Sequence, residues 1–349
     1  MGSTQRAVLE LQADKIEMIL TQHKSPVRVD GGVVTPRWVK FNLTPAIGTR
    51  FKRVQALAEE IALALGTTQV RVSRSGAALQ IDVPRPDPQT VKLLELCRRL
   101  PAIPQGTAVL GIADDGAPLL LRLPSPDVAH VLVSGTTGSG KTALVQSMIL
   151  SLALAHRRSQ LQLVLIDPKG GRAFEPLAGL PHLLTPLCIE PEQAAQTLDK
   201  LVARMELRDR ERVSLPHIVV VIDELADLVA TAGKPVLHAL ARLAQRGREA
   251  GLHLVACTQK PSSAVLGSVT RERANFPVRL VGRVTSIEDA RVATGIGGGG
   301  AEKLGGRGDF LAVSALGLTR FQAAFISTGE IASLVEKMTG QQLNGRALL

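Results

Sequence analysis

The feature that most constrains what this chain can fold into is the run Gly135-Thr136-Thr137-Gly138-Ser139-Gly140-Lys141-Thr142. It fits G-x-x-x-x-G-K-[ST], a loop whose backbone N–H groups cradle phosphates. Such a loop works between a buried strand and the start of a helix, where N–H groups and the helix dipole converge on an anion. Both neighbours are legible here. Val131-Leu132-Val133 is an apolar strand candidate, and Ala143 to Ala155 contain neither Pro nor Gly. Lys141 is therefore expected to reach the β- and γ-phosphates of a nucleotide such as ATP, and the Thr142 hydroxyl to hold Mg²⁺.

The same alternation continues beyond the loop. Apolar runs at 131–134, 161–166, 218–222 and 252–257 are interleaved with helix candidates at 141–156, 191–208 and 234–250. This pattern predicts an α/β domain with a parallel sheet and ligand sites at the carboxyl ends of its strands. Strands that are apolar throughout are what a sheet covered on both faces requires. Two of the strand ends carry chemistry. Ile218 to Ile222 run into Asp223-Glu224, a Walker B pattern. Asp223 is expected beside Mg²⁺ through a water, and Glu224 as the general base that polarises an attacking water. The second acid points to a hydrolase rather than a switch GTPase. Leu252 to Cys257 end at Thr258-Gln259, which puts Gln259 where it can sense a γ-phosphate. His182, His217, His238 and His253 have no metal-ligand spacing and read as structural or surface groups. Gly295 to Gly306 reads as a flexible glycine-rich loop.

Composition narrows the partner. A net charge of +10 favours a polyanion. The chain has one Trp, no Tyr and seven Phe, so it offers little surface on which single-stranded bases stack. A duplex gripped through its phosphates fits better. Three scattered cysteines, Cys97, Cys188 and Cys257, suit a reducing, cytoplasmic compartment and form neither a metal site nor a disulfide framework. No apolar run reaches transmembrane length.

Residues 1–105 read as a separate, smaller α+β subdomain ahead of a domain at 106–349. Gln5 to Gln22 and Phe51 to Leu65 are helix candidates. Trp38 to Leu43 is a strand, and 70–72 with 79–83 form a hairpin around Ser75-Gly76. The subdomain carries 15 Lys/Arg against 9 Asp/Glu, so +6 of the +10 resides there.

In this order the motifs resemble the FtsK/SpoIIIE family of DNA translocases. The segments that carry the resemblance are HVLVSGTTGSGKT (130–142), LIDPKGG (165–171), GLPHLLTP (179–186), PHIVVVIDELADL (216–228), LARLAQRGREAGLHLVACTQKPS (240–262), NFPVRL (275–280) and GGGAEKLGGRGDFL (298–311). The resemblance implies a RecA-like P-loop ATPase motor that closes into a homohexameric ring around double-stranded DNA, with ATP between subunits. It implies that Arg248, or else Arg246, reaches the neighbour's nucleotide. It places Lys260, Arg271 and Arg273 in DNA-facing loops. Where the family often has a Lys this chain has Ile287, with Arg283 nearby as a substitute. The long anchoring region and the winged-helix module of cell-division members are not seen, and the connection Asp209 to Pro216 is short. These departures suggest a compact, soluble translocase acting largely independently of sequence. The rival expectations are a conjugative plasmid DNA-transfer ATPase of the same superfamily, which would select particular repeats, and an ATP-gated DNA-binding protein without motor activity.

Overall fold

The computed structural model describes residues 3–75, 78–259 and 276–340. The chain divides into two units, residues 1–90 and 91–349. This division precedes the expected 105/106 boundary. Val91–Lys92 pairs in parallel with the last strand of the second unit, and Leu93, Leu96 and Cys97 are buried in that unit's core.

The first unit runs α1 (Ser3–Gln22), β1 (Val27–Val34), β2 (Trp38–Pro45), α2 (Phe51–Ala56), α3 (Ala58–Ala64), β3 (Arg71–Ser75) and β4 (Ala78–Pro84). Its four strands form an antiparallel sheet in the order β1-β2-β4-β3. Ile16 and Leu20 of α1, with Val54 and Ile61 of α2 and α3, share one core with Val39, Phe41, Leu43 and Ile81. The single helix expected over Phe51 to Leu65 is broken at Leu57, which leaves helical geometry at φ −90° and ψ 11°. Strand β1 escapes a reading by pattern, because Asp30-Gly31-Gly32 interrupts its alternation like a turn. The sheet absorbs the interruption as a register shift between Val29 and Gly31.

The second unit opens with β5 (Val91–Lys92), α4 (Leu93–Arg99), β6 (Thr107–Ala113), β7 (Pro118–Arg122) and β8 (Val131–Ser134). Then follow α5 (Lys141–Ala155), β9 (Leu161–Ile166), α6 (Pro191–Glu211), β10 (His217–Ile222), α7 (Leu225–Arg246) and β11 (Leu252–Thr258). It closes with β12 (Val278–Val281), α8 (Ile287–Thr294), β13 (Asp309–Ser314), β14 (Gly317–Phe325) and α9 (Thr328–Gly340). The sheet order is β7-β6-β14-β13-β12-β8-β11-β10-β9. From β12 to β9 all neighbours are parallel, and from β12 to β7 all are antiparallel.

The alternation of side chains explains why the central strands are apolar throughout. Val131, Val133, Leu163, Leu165, Val219 and Val221 face the α5 side, where they share a core with Leu144, Met148 and Leu152. Leu132, Val164, Ile166, Val220 and Leu254 face the other side, against Leu198, Met205, Leu240 and Leu243 of α6 and α7. Each fully buried side chain of this kind contributes about 1.5–3 kcal/mol, so both faces stabilise the sheet.

Helix α7 begins at Leu225, directly after Glu224, earlier than the expected start at 234. Gly233 breaks it at φ 67° and ψ −148°. The sequence shows only the second half, because Gly233-Lys234-Pro235 looks like a helix start. The tract Gly295–Gly306 is not an unstructured loop. Gly295 caps α8 in left-handed geometry, Ala301–Lys303 form a 3₁₀ turn, and Ala301 and Leu304 are buried. Among the described residues no helix is long and apolar enough to cross a membrane.

Candidate functional site

The site forms where the sheet's winding reverses. Strand β8 lies between β12 and β11, while the chain leaving it through α5 returns at the far edge as β9. In an open parallel sheet such a reversal leaves a crevice at the carboxyl ends of the strands. There Ser134 of β8, Ile222 of β10 and Thr258 of β11 deliver the P-loop, Asp223-Glu224 and Gln259. Gly140 caps the N-terminus of α5 at φ 97°. A β-carbon there would lie 2.7 Å from the Gly308 nitrogen, so Gly140 is required both by conformation and by space.

Lys141 and Asp223 are 6% and 7% exposed. Lys141 Nζ donates to the Asp223 carbonyl at 2.8 Å and lies 3.5 Å from Asp223 Oδ1. Burial pushes the Asp223 carboxyl up; Lys141 pulls it back and the nearby Asp167 pushes it further. Asp223 Oδ1 is offset by the Lys141 charge at 3.5 Å but accepts no close hydrogen bond, which leaves a buried carboxylate oxygen only partly satisfied. A hard cation bound through water would satisfy it, and the half-buried Thr142 hydroxyl in the first turn of α5 adds a second hard oxygen. The residues present fit Mg²⁺.

Glu224 is 3% exposed. The Gln259 N–H donates to its Oε2 at 3.0 Å and to its Oε1 at 3.3 Å. Thr137 Oγ1 in turn donates to Gln259 Oε1 at 3.4 Å, which ties the P-loop to the Gln259 side chain. The expected group of Lys141, Asp223, Glu224 and Gln259 is thus brought together.

Lys169 was not expected in this role. Its Nζ lies 3.7 Å from Glu224 Oε2 and 3.0 Å from Asp227 Oδ2. The hydrogen bond to Asp227 raises its pKa, so it stays charged beside the acidic pair. Asp167, 1% exposed, fixes the turn that presents it by accepting from the N–H groups of Lys169 at 3.0 Å and Ala173 at 2.9 Å. The signal lay in LIDPKGG, but its meaning depends on β9 lying beside β10 in register Ile166↔Ile222.

The arginines fall elsewhere. Arg248 sits in the turn that precedes β11, where its side chain meets Glu249 at 3.3 Å. That is the amino end of a strand whose carboxyl end holds Gln259, about 20 Å away at about 3.3 Å per residue. Arg248 is therefore too far from the P-loop of the same chain to act on it. Arg246 is held by Asp209 at 2.8 Å. Arg283 follows β12, and its carbonyl accepts both the backbone N–H and the hydroxyl of Thr136 at 2.9 Å. It therefore braces the P-loop through its backbone, while its side chain is exposed. Lys260, Arg271 and Arg273 lie outside the described residues.

His130 and His253 join two strands, and Cys97 and Cys257 are buried thiols. His130 Nδ1 accepts from the Leu254 N–H at 3.0 Å, and His253 Nδ1 meets the Ala129 carbonyl at 3.0 Å, which ties β8 to β11 below the P-loop. Burial pushes the Cys97 and Cys257 thiols up to about 11 and about 12, where they are inert.

Comparison with known proteins places the whole chain beside one family. The FtsK/SpoIIIE family profile matches residues 104–214 and 208–263, and the FtsK alpha domain profile matches residues 2–85. A DNA translocase FtsK from Halalkalibacterium halodurans is 34% identical over 97% of this chain and 46% of its own length. The DNA translocase FtsK of Staphylococcus aureus gives the same 34%, 97% and 46%. The chain thus spans about half the length of these curated relatives. In fold it resembles the pCW3 conjugation coupling protein TcpA, solved as a monomer form with ATPγS, at a TM-score of 0.65 and 18% identity over 94% of this chain and 99% of that one. The cytoplasmic domain of the Thermomonospora curvata type VII secretion ATPase EccC gives a TM-score of 0.57 at 25% identity, over 72% of this chain and 33% of that one. The two profiles follow one another along the chain in the same order as its two units, and the chain belongs to the FtsK/SpoIIIE family.

Proposed function

We propose that this chain is the motor of an ATP-driven, largely sequence-independent translocase of double-stranded DNA, working in the cytoplasm as a homohexameric ring. The observation that carries the catalytic part is Glu224. Its carboxylate is 3% exposed and held by the Gln259 N–H at 3.0 Å, at the strand end beside the P-loop. A docking protein that only binds nucleotide has no need of a positioned base.

In this reading the P-loop N–H groups and Lys141 hold the triphosphate. Thr142 and Asp223 would hold Mg²⁺, which supplies charge neutralisation for phosphoryl transfer. Glu224 accepts the proton of the attacking water, and Lys169 opposes the build-up of negative charge around Glu224 and Asp227. Gln259 links the γ-phosphate side of the loop, through Thr137, to the base. Arg248 acts on the neighbouring subunit's nucleotide, since it is remote from its own. Lys260, Arg271 and Arg273, with the exposed Arg283, contact DNA phosphates, which position the duplex without reading its sequence. Support for the DNA substrate comes from the family, from the +10 charge and from the scarcity of aromatic side chains.

The test is ATP hydrolysis with and without linear duplex, for the wild type and for Glu224→Gln. Duplex-stimulated turnover is expected in the wild type, and a loss of about 10²–10⁴-fold in the variant, the usual share of a general base. Wild-type turnover by Glu224→Gln would remove the residue from that role.

A further inference from the structure

The late glycine-rich stretch reaches the nucleotide loop from behind. Gly306, Arg307 and Gly308 are consecutive residues at positive φ: 66°, 50° and 87°. Arg307 carries a β-carbon and adopts this geometry against its intrinsic preference. The run lies along the back of the P-loop. The Arg307 N–H donates to the Gly138 carbonyl at 3.0 Å, and the Gly308 N–H donates to the Ser139 carbonyl at 2.8 Å. A β-carbon on Gly306 would lie 3.2 Å from the Gly138 oxygen, so the two backbones are in direct contact.

Two anchors outside the glycines hold this strap. Asp309, 3% exposed, accepts the Gly305 N–H at 2.7 Å through Oδ2. Arg320, 8% exposed, grips the same carboxylate with two hydrogen bonds, at 2.7 and 2.6 Å. Gln322 Nε2 donates to the Arg307 carbonyl at 3.0 Å. Both Arg320 and Gln322 belong to β14, which is not part of the parallel sheet that builds the site.

We propose that Asp309, Arg320 and Gln322 are positioning residues for the P-loop, acting through the strap Gly305–Gly308; the functional half of this proposal rests on the nucleotide reading above. In a trans peptide the carbonyl and the N–H point in opposite directions. Tying the Ser139 carbonyl to Gly308 therefore turns the Gly140 N–H away from the strap. The loop is thereby held in its binding geometry before any phosphate arrives, which lowers the ordering cost of binding. The left-handed Arg307 persists because its surroundings over-determine it, as strained residues at functional sites do.

The test uses the full chain with Gln322→Ala, which leaves the buried ion pair intact, and Asp309→Asn, which keeps the side chain's shape. Hydrogen exchange is first measured without nucleotide. Amides of residues 136–142 are expected to exchange about tenfold faster in either variant, with β9 and β10 at wild-type rates. ATPγS is then titrated. Its Kd is expected to rise about five- to tenfold in Gln322→Ala, with the KM for ATP rising in parallel and kcat unchanged. Wild-type exchange in 136–142 overturns the proposal, as does an unchanged Kd in variants whose melting temperature falls. A wild-type chain that binds no ATPγS sinks the nucleotide reading instead, and the exchange data still decide whether the strap braces the loop.

Discussion

Lowering the pH from 7 to 5 should weaken the sheet directly beneath the P-loop. His130 and His253 are 2% and 0% exposed, and burial keeps both neutral although a backbone carbonyl beside each favours the charged ring. Burial pulls His130 down to about 4, and pulls His253 down to about 3 with help from the neighbouring His217 and His130. The unfolded chain binds a proton at each near pH 6.5, whereas the folded chain does not, so stability rises with pH through that window. It is fully present above 6.5 and is lost as pH falls toward the folded values. Each histidine costs about 1.4 kcal/mol per pH unit, hence about 2 kcal/mol by pH 5 and about 4 kcal/mol for the pair. Against a total of about 5–15 kcal/mol this is a large fraction. The assay is urea unfolding followed by far-ultraviolet circular dichroism at both pH values, for the wild type and for His130→Asn. The Asn oxygen can replace Nδ1 as acceptor for the Leu254 N–H, so the variant keeps the hydrogen bond but loses the titration. Its loss between pH 7 and 5 should be smaller than the wild-type loss by about 2 kcal/mol. Equal losses in the two proteins would refute the reasoning.

Three further outcomes are expected. Lys141→Ala should abolish ATP hydrolysis, measured by phosphate release, because among the described residues Lys141 is the cation that pairs with Asp223, at 3.5 Å, from the P-loop itself. Arg248→Ala should bind nucleotide but not hydrolyse it, and mixing it with Lys141→Ala should restore part of the activity at mixed interfaces; no rescue in confirmed mixed rings would count against action in trans. DNA affinity should fall steeply with salt and vary little with sequence, since phosphate contacts release counterions. The double variant Lys260→Ala with Arg273→Ala should lose DNA stimulation while keeping basal hydrolysis.

How much of this was legible follows from the range of each signal. The P-loop, Asp223-Glu224 and the parallel strands are encoded locally, by runs such as Ile218 to Ile222, and the fold places them as expected. The antiparallel extension through β13, β14, β6 and β7 was not visible, since short strands around Gly111 and Gly317 lack a clear period. Lys169 was invisible as a partner of Glu224 because the pairing depends on the neighbouring register of β9 and β10. The tract Gly295 to Gly306 reads as flexible because glycines signal freedom in sequence, whereas in the fold Gly306, with Gly308 just beyond the tract, provides close approach to Gly138 and Gly140. The first half of α7 was hidden by Gly233 and Pro235, which mark a break inside the helix rather than its beginning.

The measurement that tests the motor most directly is displacement of a third strand from a triplex at the end of a linear duplex. ATP should drive wild-type displacement on duplexes of unrelated sequence, while ATPγS in place of ATP, or the Glu224→Gln variant with ATP, should leave the triplex intact. Displacement that proceeds equally with ATPγS, or none at all from a wild-type chain that hydrolyses ATP and binds the duplex, would contradict translocation driven by hydrolysis at this site.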